Sequence, residues 1–213
     1  MSLSCIVFDC DGVILESVDF KNAAFGKVCD EFAPEHTKAF IEYVALHGGV
    51  SRFEKFAWLV ERAERRAITE EESRIMGEKF HRYCIEAVLA APLVPGFTET
   101  AERWLGKVPM YVASGTPHYE LVDVLERHDL TKYFKGILGT PPAKASLLLS
   151  CVRDARAKPE ETVMIGDSKT DLEAALIVGT KFYGRGAYFE DKPYPYGKDL
   201  TMLNAFLEAT AAN

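Results

Sequence analysis

Two carboxylates, Asp9 and Asp11, follow directly on the apolar run Cys5-Ile6-Val7-Phe8 and precede Gly12. At a strand end such a pair can point into one crevice, where one carboxylate attacks as a nucleophile and the other moves protons. Gly12 lets the chain turn sharply behind them. A surface turn uses the same residues, so this segment alone leaves both readings open. Ser114-Gly115-Thr116-Pro117 follows a second apolar run at 110–113. A hydroxyl, small residues and a proline suited to a helix start form either a phosphate cradle or an ordinary capped turn. Lys144, in Pro141-Pro142-Ala143-Lys144, stands where an ammonium can reach a phosphoryl group or simply point into water. Gly166-Asp167-Ser168-Lys169-Thr170-Asp171 follows a strong apolar run at 162–165. Carboxylates four apart at a strand–helix junction can hold a hard cation and orient its waters.

The elements that must position these groups are legible as alternating patterns. The run at 5–8 is short, continuous and apolar, closed by a polar turn, and reads as a buried parallel strand. Similar runs recur at 110–113 and 162–165, with weaker ones at 136–138 and 181–183. Helical stripes separate the later runs: Leu121, Val122, Leu125 and His128, then Leu147, Leu148, Cys151 and Val152. This alternation predicts an α/β fold with a doubly wound parallel sheet, whose ligands sit beyond the carboxyl ends of the strands. Between the first two strands lie roughly 75 residues without a strand signal, far more than a crossover needs. Phe20, Ala24, Val28 and Phe32 recur there at helical spacing, as do Phe53, Phe56, Ala57 and Val60, and Met76, Phe80, Tyr83, Cys84 and Ala87. The insert is therefore expected to be a helical bundle of its own over 16–91, with the core formed by 1–15 and 92–213. The Gly-, Pro- and Tyr-rich stretch 184–198 reads as an ordered loop, and Leu200, Leu203, Phe206 and Leu207 as a final helix docked on the core.

Composition bounds the partners. Twenty-five basic residues against 32 acidic ones leave a formal charge of −7 without a long basic run. Neither nucleic acid nor an anionic membrane finds an electrostatic footprint here. An anionic substrate must be held by local charge. The five cysteines are scattered, without a CxxC pair, which fits reduced thiols in a cytoplasm. The N-terminal residues run into charge too early for a secretory signal, and no apolar stretch reaches the roughly 18 residues of a membrane helix. A soluble, cytoplasmic protein is expected; its oligomeric state is not legible.

Taken in order and spacing, DxDG, strand-SGT, Lys and strand-GDxxxD resemble the haloacid dehalogenase (HAD) phosphatase superfamily, across essentially all core segments. The resemblance implies a Rossmann-like parallel sheet in strand order 5-4-1-2-3 and a helical cap inserted after the first strand. It implies that Asp9 attacks phosphorus to form an aspartyl phosphate. Asp11 would protonate the leaving oxygen and then activate water. Ser114, Gly115 and Lys144 would bind the phosphoryl group. Asp9, Asp167 and the backbone carbonyl of Asp11 would ligate Mg²⁺, with Asp171 steadying the site from behind. Alanine follows Lys144 where relatives often carry proline. His118, two residues past Thr116, could reach the site, but a helix-surface histidine is the favoured reading.

Substrate choice should lie in the insert. The segment His47-Gly48-Gly49-Val50-Ser51-Arg52 resembles the cap loop of β-phosphoglucomutases, where an arginine grips the non-reacting phosphate. Arg52 would be that residue, or else a solvated arginine in the first turn of a helix. Gly48-Gly49 suggests a loop whose backbone approaches something closely. Ten residues after Asp11, where β-phosphoglucomutases carry histidine, stands Lys21, a poor replacement for an imidazole titrating near neutrality. Hydrolysis is thereby favoured over a phosphosugar mutase, and the expected substrate is a small phosphate ester such as phosphoglycolate or a sugar phosphate. A weaker likeness, over 47–56, to HAD hydrolases of surface-polysaccharide synthesis also points to sugar phosphates. A non-catalytic phosphate-binding scaffold would lack a nucleophile or a metal ligand, and none is missing here.

Overall fold

A computed structural model of the chain describes residues 3–212. Its centre is strand β1 (Cys5–Phe8), flanked in parallel by β2 (Met110–Pro117) and β4 (Thr162–Gly166). Strands β3 (Gly136–Thr140) and β5 (Lys181–Arg185) extend the sheet on either side, and β6 (Tyr196–Gly197) closes one edge. All pairings are parallel, and the spatial order is β3-β2-β1-β4-β5-β6. Read from the other edge this is 5-4-1-2-3 with one strand added outside β5. The addition falls in the stretch expected to be a loop, where Gly184 N donates to Pro195 O and Gly186 N to Gly197 O. Two residues of pairing leave no apolar run in the sequence to announce them.

Strand alternation divides the core between the two sheet faces. Ile6 and Phe8 of β1, Met110 and Val112 of β2, and Val163 and Ile165 of β4 belong to one buried cluster. It also includes α5 (Phe97–Trp104), α6 (His118–Arg127) and α9 (Leu203–Ala212). Cys5, Val7, Tyr111, Ala113 and Met164 point the other way, onto α7 (Lys144–Asp154) and α8 (Lys169–Val178). Burial on both faces explains why these strands read as continuous apolar runs and not as alternating ones.

Four helices fill the insert: α1 (Val18–Phe32), α2 (Thr37–Leu46), α3 (Arg52–Glu64) and α4 (Glu70–Leu89). Helix α1 packs on α2 and α4, and α3 packs on α4. A cluster of phenylalanines joins them: the Phe25 ring lies 4.3 Å from that of Phe80, 5.5 Å from Phe56 and 5.9 Å from Phe40. The buried face of α1 is Ala24, Phe25, Val28 and Cys29, whereas Phe20 stays 39% exposed. The expected stripe through Phe20 is thus displaced towards Phe25, because α1 must meet two helices at once. Helix α4 starts at a reciprocal cap, with Thr69 and Glu72 satisfying each other's backbone N–H groups. All five cysteines are buried and free, and no helix among the described residues is long and apolar enough to cross a membrane.

Candidate active site

Asp9 emerges where β1 ends. Its backbone N–H donates to Ile165 O (2.9 Å), so the parallel ladder with β4 continues through the residue and fixes its side chain at the carboxyl edge of the sheet. The chain then turns, with Ile14 N donating to Cys10 O (2.8 Å) and Gly12 at φ +74°. A Cβ at Gly12 would also sit 2.2 Å from Asp167 Oδ2. Glycine is required there both by the left-handed backbone and by the carboxylate facing it.

Asp167 and Asp171 arrive from β4 and the start of α8. Ser168 caps α8, and its N–H and Oγ donate to Asp171 Oδ2 (3.1 and 2.5 Å), which turns the carboxylate back towards the strand end. A ligand atom from each of Asp9, Asp167 and Asp171 lies within 4.8 Å of the others. Lys144, the first residue of α7, is buried among them, with Nζ 2.7 Å from Asp9 Oδ2 and 2.6 Å from Asp171 Oδ1. Asp167 has no hydrogen-bond or ion-pair partner among the described residues. Three carboxylates facing one ammonium leave two negative charges uncompensated, and all the donors are hard oxygens. That combination fits a divalent cation of the Mg²⁺ kind. Burial, helped by repulsion from Asp171 and Asp11 and opposed by Lys144, pushes Asp9 up to about 7. Burial and the neighbouring carboxylates Asp171 and Asp9 push Asp167 well above the usual carboxylate range.

The Asp11 carboxylate stands apart from that cluster. It accepts from Ser17 Oγ (2.6 Å), Lys21 Nζ (2.6 Å) and Thr116 Oγ1 (2.9 Å). Burial alone would raise its pKa. The Lys21 ammonium and these three hydrogen bonds outweigh burial and hold it at about 2. Lys21 also donates to Thr116 Oγ1 (2.8 Å), so the first helix of the insert is pinned to the core through Asp11 and β2.

Ser114 is buried in β2, and its Oγ accepts from Thr116 N (3.2 Å). Here the sequence expectation needs correction. The SGTP residue types suit a helix start, but the strand runs through them to Pro117 and α6 starts only at His118. Pairing with β3 resumes at Pro117↔Thr140 after an irregularity that begins past Ser114↔Gly139. Any phosphate cradle at Ser114 and Gly115 is therefore strand-end backbone and not a helix N-terminus. His118 is exposed.

The loop 47–51 lies directly on this core site. Thr170 Oγ1 donates to Gly48 O (2.6 Å). A Cβ on Gly115 would meet Gly49 O at 2.3 Å, and a Cβ on Gly49 would lie 3.3 Å from Lys144 Nζ. Under the loop is a cavity of about 210 Å³, walled by the core carboxylates on one side and by Lys21, Phe25, Arg52, Lys55 and Phe80 on the other. Arg52 is buried and not solvated. Its guanidinium lies over the Phe80 ring (4.4 Å) and donates to Glu120 Oε1 of α6 (2.5 Å). His81 Nδ1 lies 2.8 Å from the other Glu120 oxygen.

Of the residues that the sequence singles out, Asp9, Asp11, Asp167, Ser114, Gly115, Lys21 and Arg52 line this cavity, and Lys144 touches its wall through Asp9 (2.7 Å). Asp171 lies behind it, against Lys144. Four partners went unread: Ser17, Thr116 as a ligand of Asp11, Glu120, and Lys55. Lys55 had a signal, since a lysine interrupts the buried face formed by Arg52, Phe56 and Leu59 on α3.

A parallel α/β sheet with an acidic, cation-ready site at its carboxyl edge and a helical insert above defines a Rossmann-like enzyme. Residues 3–179 match the haloacid dehalogenase-like hydrolase family, and the chain belongs to it. It is a hydrolase of the phosphatase class, and its relatives carry phosphatase names. A phosphorylated carbohydrates phosphatase of Thermotoga maritima is 26% identical over 191 residues, covering 85% of each chain. Phosphoglycolate phosphatase 1 of Pseudomonas aeruginosa is 27% identical over 184 residues, 83% of this chain and 66% of that protein. The fold is shared with a β-phosphoglucomutase of Clostridium difficile, at a TM-score of 0.83 and 18% identity, covering 100% of this chain and 98% of that one.

Proposed function

We propose that the protein is a Mg²⁺-dependent phosphatase that hydrolyses a small phosphorylated metabolite, phosphoglycolate or a sugar phosphate, through an aspartyl-phosphate intermediate. The observation that carries this reading is the division of the two DxDG carboxylates. Asp9 sits in the unbalanced acidic cluster beside Lys144, while Asp11 sits 2.6 Å from Lys21 outside that cluster. Environments this different suit a nucleophile and a proton-transfer group.

Asp9 attacks phosphorus with a carboxylate oxygen, and the bond from phosphorus to the leaving oxygen breaks. Asp11 gives that oxygen a proton. The negative charge of the substrate beside Asp11 favours the proton uptake this requires. In the second half Asp11, again ionised, takes a proton from water as the water oxygen attacks phosphorus. Phosphate leaves and the Asp9 carboxylate is regenerated. Lys144 and the strand-end backbone at Ser114 and Gly115 hold the phosphoryl oxygens. Asp9, Asp167 and the backbone carbonyl of Asp11 would hold Mg²⁺, steadied by Asp171. Bound there, the cation supplies Lewis-acid neutralisation of phosphoryl charge. The insert excludes bulk water, and its opening for substrate would loosen the contacts that loop 47–51 makes with the core at Thr170 and Gly115. Domain limits of 16–91 for the cap and 1–15 with 92–213 for the core belong to this reading.

The test is phosphate release from a panel of small esters with and without Mg²⁺, alongside Asp9→Asn. Release should vanish on chelation, return with Mg²⁺, and fall by at least about 10⁴-fold in the variant. Full activity after chelation sinks the mechanism. Conversion of a sugar 1-phosphate into its 6-phosphate without phosphate release would move the assignment to a mutase.

A further inference from the structure

The cations lining the insert side of the cavity are not equivalent. Lys21 is bound to Asp11 and Arg52 to Glu120. Lys55 is as deeply buried as Arg52, at 5% exposure, and lines the same cavity from α3. Yet its ammonium makes no hydrogen bond or ion pair with any described residue. Its Nζ lies over the Phe25 ring, 4.8 Å from the centroid. A buried ammonium without a counter-ion is strongly unfavourable, so it is retained only where something supplies the charge. The acids of the site do so only in part. Asp11 and Glu120 have their own cations, Asp9 and Asp171 share Lys144, and Asp167 belongs to the cluster suited to a divalent cation.

We propose that Lys55 binds a second anionic group of the substrate, a carboxylate or a further phosphate, and so selects phosphate esters that carry one. The inference rests on the phosphatase reading above and assigns the substrate class of the same site. It also moves that role from Arg52, because Glu120 already balances the Arg52 charge and the guanidinium lies over the Phe80 face. Phe25 and Phe80 wall the same end of the cavity, and such apolar surroundings strengthen a charge pair formed inside. Burial, with Lys21 nearby, lowers the Lys55 pKa to about 8, as expected of an ammonium short of a partner.

The decisive comparison uses two near-isosteric esters, 2-phosphoglycolate and 2-hydroxyethyl phosphate, and a second pair, a hexose bisphosphate and its monophosphate. KM and kcat are measured for the wild type, Lys55→Met and Lys55→Gln. Binding is measured by calorimetry in Asp9→Asn with and without Lys55→Met. Losing one charge-assisted contact should weaken the doubly anionic member by about 10- to 100-fold more than its partner, in KM and in Kd. The two Lys55 variants should agree, and melting curves confirm that they are folded. Equal losses on both members would place Lys55 on the transferring phosphate and overturn the proposal. Absence of any wild-type preference for the charged member would overturn it too. Failure of the wild type to release phosphate would refute the phosphatase reading alone, because calorimetry on Asp9→Asn still decides the role of Lys55.

Discussion

Lys55 should make the ligand-free protein less stable than it would be without the charge. The Lys55 pKa is lowered from 10.5 to about 8, first by burial and then by the Lys21 and Lys144 ammoniums, against a partial offset from Asp11 and Asp167. At about 1.4 kcal/mol per pK unit, that gap is worth about 3 kcal/mol. Its sign follows from proton counting. Between pH 8 and 10.5 the unfolded chain holds a proton on this lysine that the folded chain has lost, so stability rises with pH across that window. Below the window both states are protonated and the full penalty stands. Lys55→Met removes the penalty and forfeits the cation–π attraction to Phe25, about 1 kcal/mol, for a net gain of about 2 kcal/mol at pH 7. For a chain of this size that is a rise in Tm of roughly 4–8 °C. Thermal melts of both proteins at pH 7 and pH 9.5, without ligand, make the check. By pH 9.5 the wild type should have recovered about 2 kcal/mol, closing most of the difference. A methionine variant that melts below the wild type at pH 7, or a difference that does not change with pH, refutes the reasoning.

Arg52→Ala leaves the Glu120 carboxylate, 3% exposed, without its guanidinium. Stability should fall by about 3–5 kcal/mol, and KM should move by the same factor for singly and doubly anionic esters; a selective rise for the latter would restore Arg52 to the substrate. Gly115→Ala places a Cβ 2.3 Å from Gly49 O, so the loop over the site must lift. Displacement of about 1 Å at a reacting centre costs on the order of 100-fold in rate, and an unchanged kcat in steady-state assays would show that this contact is not part of the competent state.

The fold and much of the candidate site were legible because Asp9, Ser114 and Asp167 lie in or directly after the strands that carry them. Asp9 follows Phe8 without a gap, and Asp167 follows Gly166, so an apolar run and its polar terminus appear together in sequence. Pairing of β1 with β2 and β4, and of β2 with β3, then assembles the four segments. What was not legible depends on contacts made far along the chain. Strand β6 is two residues attached through backbone groups, and backbone hydrogen bonds leave no trace in residue type. The continuation of β2 through Ser114 to Pro117 depends on β3 offering Gly139 and Thr140 as partners. Phe25 replaces Phe20 in the bundle because three other phenylalanines, from α2, α3 and α4, converge on it.

The same distinction governs the charges, and it bears on function. Lys21 and Asp11 are ten residues apart, and the turn between them brings them within 2.6 Å, so their pairing has a local cause. Arg52 and Lys55 are three apart on one helix, share a face, and are equally buried. Nothing in α3 says which of them serves a ligand. That is decided by Glu120, 68 residues further on, which takes Arg52 and leaves Lys55 unmatched. A cation that the folded chain has paired contributes to holding the insert against the core. A cation that it has buried without pairing marks where the charge of a bound anion would fall. On the proposed reading the substrate is recognised at two ends, by Lys144 and the acidic cluster at the transferring phosphate and by Lys55 at a second anion.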